Sequence, residues 1–172
     1  MTVYSTGVVI GIVVGLIIAA IVLKMINKDG SFKTEYDERQ KAVRGTAYKY
    51  GFFATIIANA VLMILATTDY DVTKLGFTLN FIPILIGIIV QVTYCVFNDG
   101  YVGLNTNMPR FIVFMILISA FNFFIGIMAG VHGELLKDGV FQEPLTNLLV
   151  GGLFIVLAIE LLIKKVIDGK EE

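Results

Sequence analysis

Four polar residues capable of chemistry lie inside long apolar runs of the sequence. They are Asn59, Gln91, Asn122 and Glu160. A polar group in hydrocarbon is costly, so it normally faces other helices or a water-filled cavity. Asn59 and Asn122 fall near the middle of their runs, and one interpretation is a hydrogen bond between two helices at the same depth. The alternative is a path for a substrate or an ion that is lined by all four side chains.

Glu160 is the only acid within an apolar run, and two interpretations of it stay open. Lys164 follows at the i,i+4 spacing that pairs side chains on one helix face. This spacing predicts a salt bridge, or a carboxylate that reaches toward water at the membrane surface. The alternative is a proton or cation site that Glu160 forms together with Gln91.

The residue sets that enzymes use are missing from the sequence. One histidine, His132, and one cysteine, Cys95, offer neither a metal site nor a credible nucleophile pair. There is no glycine-rich phosphate loop and no His-Glu-x-x-His sequence. Cys95 is predicted to fill apolar space and His132 to lie in a loop. We therefore expect no enzyme activity, no cofactor and no bound metal.

The elements that carry these residues are predicted to be membrane helices. The chain has 172 residues, of which 57% are hydrophobic and 16% charged. A helix needs roughly 20 apolar residues to cross hydrocarbon about 30 Å thick. Five runs are long enough, and they are too uniformly apolar for barrel strands. We predict one all-α membrane domain over residues 1–172, with a first span that is not cleaved and with spans near residues 3–26, 50–67, 77–97, 110–131 and 145–167.

The basic residues predict how these spans are oriented. Seven lie between the first two spans, three follow the fifth, and Arg110 precedes the fourth. The opposite side has only Lys74 and Lys137. Because an excess of Lys and Arg marks the cytoplasmic side, we expect the N-terminus outside the cell and the C-terminus in the cytoplasm. Residues 69–76 and 132–144 are then outer loops.

The polar segment between the first two spans is predicted to contain a short cytoplasmic helix over residues 35–44. Thr34 and Asp37 are spaced like a capping box, and acids precede bases at i,i+4 from Glu35 and from Asp37. Asp99, in a loop on the same side, could pair with Arg39 or with Arg44. This side would contact a partner protein through Asp37, Glu38, Arg39, Gln40, Asp99 and Tyr101; the alternative is an ordinary solvated helix start.

Two stretches on this side resemble a group of uncharacterised small multi-pass membrane proteins of Gram-positive bacteria. The first is Tyr36–Gln40 with Arg44–Phe52, which contains an Asp-Glu-Arg-Gln motif just before a membrane helix. The second is Asn98–Asn105, where the group is expected to have Ala in place of Gly100. The resemblance implies a multi-pass membrane protein, and it implies no particular activity.

Small residues recur at helical spacing in the first and fourth spans. Gly7, Gly11 and Gly15 follow each other every four residues, and Gly126 and Gly130 repeat the spacing. Such a face lets two helix backbones approach closely. The sequence leaves open whether the first span packs within its own chain or against a second copy.

These patterns together favour a membrane protein that works through contacts. We expect a non-enzymatic accessory or regulatory subunit that acts through helix packing and through its cytoplasmic face. The alternative is a small transporter or channel. The expected partners are the lipid bilayer, a second copy through the first span, or a membrane or cytoplasmic protein. The basic segment between the first two spans is diluted by acids, which makes nucleic acid an unsuitable partner.

Overall fold

A computed structural model describes residues 3–69 and 71–169 as an all-helical bundle with one small hairpin. Four of its helices are long and apolar enough to cross a membrane, and the bent helix pair adds a fifth such segment if it counts as one span. Lys170, one of the basic residues after the fifth predicted span, lies outside the described residues. The elements are α1 (Val3–Ile26), α2 (Glu38–Leu65), a 3₁₀ helix (Val72–Asn80), α3 (Ile82–Phe97), α4 (Met108–Val131), β1 (Leu136–Lys137), β2 (Val140–Phe141) and α5 (Pro144–Asp168).

The predicted cytoplasmic helix is not a separate element, because it is the first part of α2. The helix begins at Glu38 rather than at residue 35, and it runs without a break past Gly45. Asp37, and not Thr34, caps it: Asp37 Oδ1 accepts a bond from the Gln40 backbone N–H at 2.6 Å. Gln40 Oε1 accepts in return from the Asp37 backbone N–H at 3.3 Å. This capping box uses the preferred Gln at the third helical position, which explains why the helix starts there.

The third predicted span, over residues 77–97, is bent rather than continuous. The 3₁₀ helix and α3 meet at 55°. Gly76 has a φ of +56° and so departs from helical geometry, and Pro83 stands in the first turn of α3, where a missing N–H costs nothing. With 16 residues, α3 extends only about 24 Å along its axis.

The predicted outer loop over residues 132–144 contains a hairpin that the sequence analysis missed. Leu136 pairs with Phe141 and Lys137 with Val140. Asp138 and Gly139 between them have φ values of +50° and +77°. Positive φ at both central residues is the type I′ geometry that Asp-Gly favours, so this dipeptide was a usable signal. β2 packs on the 3₁₀ helix, and a Cβ on Gly76 would collide with the Phe141 carbonyl.

The core lies where α3, α4 and α5 meet. Ser119 of α4 donates a 2.8 Å bond to the Gly151 carbonyl of α5, and this short contact brings the two helices together. Gly126 approaches α5 so closely that a Cβ there would collide with Leu148. Gly130 meets only Leu135, at 3.9 Å. The buried cluster between the three helices consists of Val92, Val96, Ile112, Met115, Leu157, Ala158 and Leu161.

The first helix, α1, stands largely apart from this core. Within residues 3–69 and 71–169, a Cβ added to Gly7, Gly11 or Gly15 would meet nothing within 4 Å. The interpretation of this face as a packing surface within the chain is therefore wrong. Close glycine packing occurs instead between α2 and α3, where a Cβ on Gly51 would lie 2.8 Å from the carbonyl oxygen of Gly87.

Candidate functional site

The most highly connected polar region is where residues 26–44 meet residues 98–107, and we call it the polar junction. Three backbone bonds join its two segments. The Lys28 N–H donates to the backbone carbonyl of Asn105 at 2.7 Å. The Leu104 N–H donates to the backbone carbonyl of Glu35, and the Asn107 N–H to that of Ile26, both at 2.9 Å. The end of α1 and the start of α2 are thereby both tied to the loop between α3 and α4.

Gln40 connects the start of α2 to that loop. Its side chain is buried, with 7% of its surface exposed. Its amide Nε2 donates to the carbonyl oxygens of Asp99 and Val102, at 3.0 Å each. Because its Oε1 already accepts from the helix cap, every strong hydrogen-bonding atom of this amide is used. Gln40 therefore acts within the chain and offers no free group to a partner.

Asn105 plays the corresponding part on the other side of the polar junction, and the sequence analysis assigned it no role. Its Oδ1 accepts from the Glu35 N–H at 2.9 Å. Its Nδ2 donates to the Asp29 carboxylate at 3.1 and 3.2 Å, and to the Lys33 carbonyl at 2.9 Å. Bonds from the Ser31 N–H and from Asn105 lower the pKa of Asp29 below its usual value. One buried amide thus holds three parts of the segment that precedes α2.

Asp99 is the charged centre of the polar junction. The predicted ion pair with Arg39 is present, with Arg39 Nη2 at 3.4 Å from Asp99 Oδ2. Lys164 Nζ lies closer, at 2.8 Å from Oδ1. The bond from Lys164, followed by that from Arg39, holds the pKa of Asp99 below its ordinary value. Arg44 does not reach this carboxylate; its Nη1 lies 3.4 Å from the Gly100 carbonyl.

The predicted salt bridge between Glu160 and Lys164 is wrong. Lys164 pairs with Asp99 and, at 2.7 Å, with Asp168. Glu160 Oε1 instead accepts a 2.6 Å bond from the hydroxyl of Thr93 on α3. Gln91 does not join them, because it lies against Gly51 of α2. A Cβ added to Gly51 would lie 2.9 Å from the Cβ of Gln91. Thr93 is the partner that the sequence analysis missed, and no motif distinguishes it.

Tyr101 lies between two cavities at this end of the bundle. One has a volume of about 180 Å³ and is lined by Glu160 and Thr93 among mostly apolar residues. The other, of about 190 Å³, is lined by Gln40, Asp99 and Lys164. Tyr101 borders both, and its burial raises the pKa of its hydroxyl well above the usual value. The phenol ring is partly buried and packs against the core cluster, with its centre 5.8 Å from the ring centre of Phe111.

The predicted hydrogen bond between Asn59 and Asn122 is not formed. Asn59 Nδ2 donates to Thr55 O at 3.0 Å, one turn earlier in its own helix. Asn122 Nδ2 does the same with Ile118 O at 2.9 Å. Both amides are satisfied locally, and neither residue lines the cavity beside Glu160.

A third cavity, of about 470 Å³, lies between α1 and α4. Arg110 lies at its end nearest the polar junction, and Arg110 Nη1 donates to the Met25 carbonyl at 3.3 Å. The rest of the wall is apolar and is formed by Val22, Met25, Ile26, Pro109, Val113, Phe114 and Leu117. We call this cavity the α1–α4 groove.

No metal-binding cluster of three or more His, Cys, Asp or Glu residues occurs within residues 3–69 and 71–169. Cys95 is free and buried. Comparison with protein-family models, with curated proteins and with solved structures finds no match in any of the three. The resemblance to small multi-pass proteins of Gram-positive bacteria stays a prediction.

Proposed function

We propose that the chain is a multi-pass membrane protein with its N-terminus outside the cell and its C-terminus in the cytoplasm. The long apolar helices support insertion. Lys24, Arg110 and Lys164 all lie at the helix ends nearest the polar junction, and an excess of basic residues marks the cytoplasmic side. A C-terminal fluorescent protein should then fluoresce and a C-terminal alkaline phosphatase stay inactive. An active phosphatase would overturn this orientation.

Within the membrane, the proposed role is that of a non-enzymatic accessory or regulatory subunit that presents α1 to another membrane helix. The observation that carries this proposal is the open glycine face of Gly7, Gly11 and Gly15, where an added Cβ would meet no neighbouring atom of the described residues within 4 Å. Faces of this kind normally receive a second backbone. The other end of α1 is bound to the polar junction at Ile26 and at Lys28, which follows the helix, so one end of this helix is fixed.

Disulfide cross-linking in membranes tests this role. In a Cys95→Ala background, Gly11→Cys should cross-link to a second copy or to another membrane protein under mild oxidation. Val13→Cys is the matched control, because Val13 is 51% exposed and lies about half a turn away from the glycine face. Equal cross-linking at the two positions would contradict a specific helix contact.

A small transporter or channel is the second candidate, and the cavity beside Glu160 is the observation that favours it. A carboxylate at membrane depth marks a functional site by default. However, Asn59, Gln91 and Asn122 do not line that cavity, so the proposed polar path loses three of its four members. Substrate or proton flux into vesicles that falls with Glu160→Gln, and is unchanged by Gly11→Leu, would favour transport over the subunit role.

The exposed part of the polar junction remains available for a cytoplasmic partner. Of the predicted contact residues, Gln40 is used within the chain, and Asp37 serves as the helix cap. Glu38 and Arg39 keep side chains that are 90% and 65% exposed. A partner on this side would therefore bind through Glu38 and Arg39, and a Glu38→Arg exchange should weaken that contact while leaving the fold intact.

A further inference from the structure

The α1–α4 groove combines an apolar wall with a single cation at one end. Val113, Phe114 and Leu117 follow Arg110 by one to two turns of α4. At 1.5 Å per residue, the wall therefore extends about 10 Å from Arg110 toward the middle of the helix. Met25 and Ile26 form the facing wall. The shape is that of a slot with a charged opening, and nothing in the described chain fills it.

Arg110 lacks a negative partner in the part of the chain that the structure describes. Its side chain is exposed, and it is absent from the four ion pairs found there. Asp29, an acid in the segment that follows α1, has both carboxylate oxygens bonded to Asn105. The cation at the opening therefore has no carboxylate partner among the described residues.

We propose that the α1–α4 groove binds one anionic phospholipid, with its phosphate on Arg110 and one acyl chain along the apolar wall. A guanidinium matches a phosphate through two parallel N–H bonds. Arg110 lies in the first turn of α4. In the membrane placement proposed above, on which this inference depends, that turn lies at the depth of the lipid phosphates.

A second copy of the chain is a poorer occupant of the same groove. Copies inserted in the same orientation bring like ends together. The last turn of a second copy's α1 would then lie near Arg110, and that turn carries a cation, Lys24. Like charges in such a contact are unfavourable. A lipid phosphate supplies the missing charge without this repulsion.

The test measures lipid binding to the full chain by native mass spectrometry in detergent. Dioleoyl phosphatidylglycerol and dioleoyl phosphatidylcholine share acyl chains and differ in charge. We expect the first to bind about tenfold more tightly, as a charge-assisted hydrogen-bonded pair allows. Arg110→Gln should abolish this preference, and Arg110→Lys should keep part of it. Arg39→Gln, which removes a cation near the same end but outside the groove, should leave the preference unchanged.

A second variant tests the apolar half of the site independently. Val113→Phe fills the groove and should weaken binding of both lipids, whereas Val131→Phe, at a position on α4 that is 74% exposed, should not. Inorganic phosphate at millimolar concentration should fail to displace the lipid. Equal binding of the two lipids, insensitivity to Arg110→Gln and Val113→Phe, or full displacement by phosphate would each overturn the proposal. Loss of a dimer rather than of lipid in Val113→Phe would assign the groove to a second copy. The C-terminal fluorescent protein and alkaline phosphatase are measured in separate experiments. They therefore distinguish a failure of the proposed membrane orientation from a failure of lipid binding.

Discussion

Replacing Gln40 by alanine should destabilise the protein by about 2–4 kcal/mol. The side chain makes two bonds of 3.0 Å to the carbonyls of Asp99 and Val102 and one of 3.3 Å from the Asp37 N–H. Each such bond contributes about 1 kcal/mol net, and a buried group left without a partner costs about 1–3 kcal/mol. The backbone bond that caps α2 survives in the variant, which is why the estimate stays below complete loss of the fold.

The assay is reversible unfolding in mixed micelles, followed by circular dichroism as sodium dodecyl sulfate replaces the mild detergent. Gln142→Ala is the matched control. Its side chain makes one local bond of 2.9 Å to Val140, so its loss should cost less than about 1 kcal/mol. A further variant, Gln40→Glu, keeps the size but places a carboxylate oxygen where the amide donated to two carbonyls. It should be at least as damaging as alanine at neutral pH, and less so in acid, where a protonated carboxyl can donate one bond. A cost below about 0.5 kcal/mol for Gln40→Ala would refute the view that this amide holds the polar junction together.

Three further predictions concern other contacts of the same bundle. Gly103→Ala should cost about 1–3 kcal/mol in the same unfolding assay, because its Cβ would lie 2.8 Å from the Glu35 carbonyl oxygen. Gly152→Ala is the control: a Cβ there meets no described atom within 4 Å, so this variant should keep its stability or gain up to about 1 kcal/mol from helix propensity. Stability should fall as the pH drops through the lowered pKa of Asp99. A carboxyl whose pKa is depressed in the folded state stabilises the fold above its unfolded pKa, and this contribution is lost in acid. Asp99→Asn should flatten this part of the pH profile of stability, and an unchanged profile would contradict the role of Asp99. Thr93→Val should cost about 1–3 kcal/mol by removing the hydroxyl that donates to Glu160, and equal stability of the two proteins would show that Glu160 is satisfied in another way.

Hydropathy located the long helices well, because a spanning length depends only on local composition. The fourth and fifth predicted spans, residues 110–131 and 145–167, differ from α4 and α5 by at most two residues at either end. The third span was harder. Its apolar composition concealed the bend between the 3₁₀ helix and α3, because residue type alone does not report a backbone angle.

The polar contacts were predicted less well, because they join segments that are distant in the chain. Asp99 and Arg39 are separated by 60 positions, yet their opposite charges on one predicted side were enough to suggest the pair. The burial of Asn105, and its four bonds to residues 29–35, carry no comparable signal in the sequence. For Glu160 the sequence suggested a pair that does not form. Lys164 stands at the favourable i,i+4 spacing, but its ammonium group pairs with Asp99 and Asp168 instead. Helical spacing lists possible partners, whereas tertiary geometry selects among them.

Because α1 is attached to the rest of the bundle at one end only, a small tilt at that end produces a large displacement of the other. Its 24 residues extend about 36 Å at 1.5 Å per residue. With the pivot at Ile26, a tilt of about 10° displaces the opposite end by about 6 Å, more than one helical turn of 5.4 Å. In the proposed membrane placement, a tilt at the end of α1 that is bound to the polar junction would therefore displace the opposite end on the other side of the bilayer. A partner bound to the far end of α1 would respond to structural changes at the polar junction without contacting it.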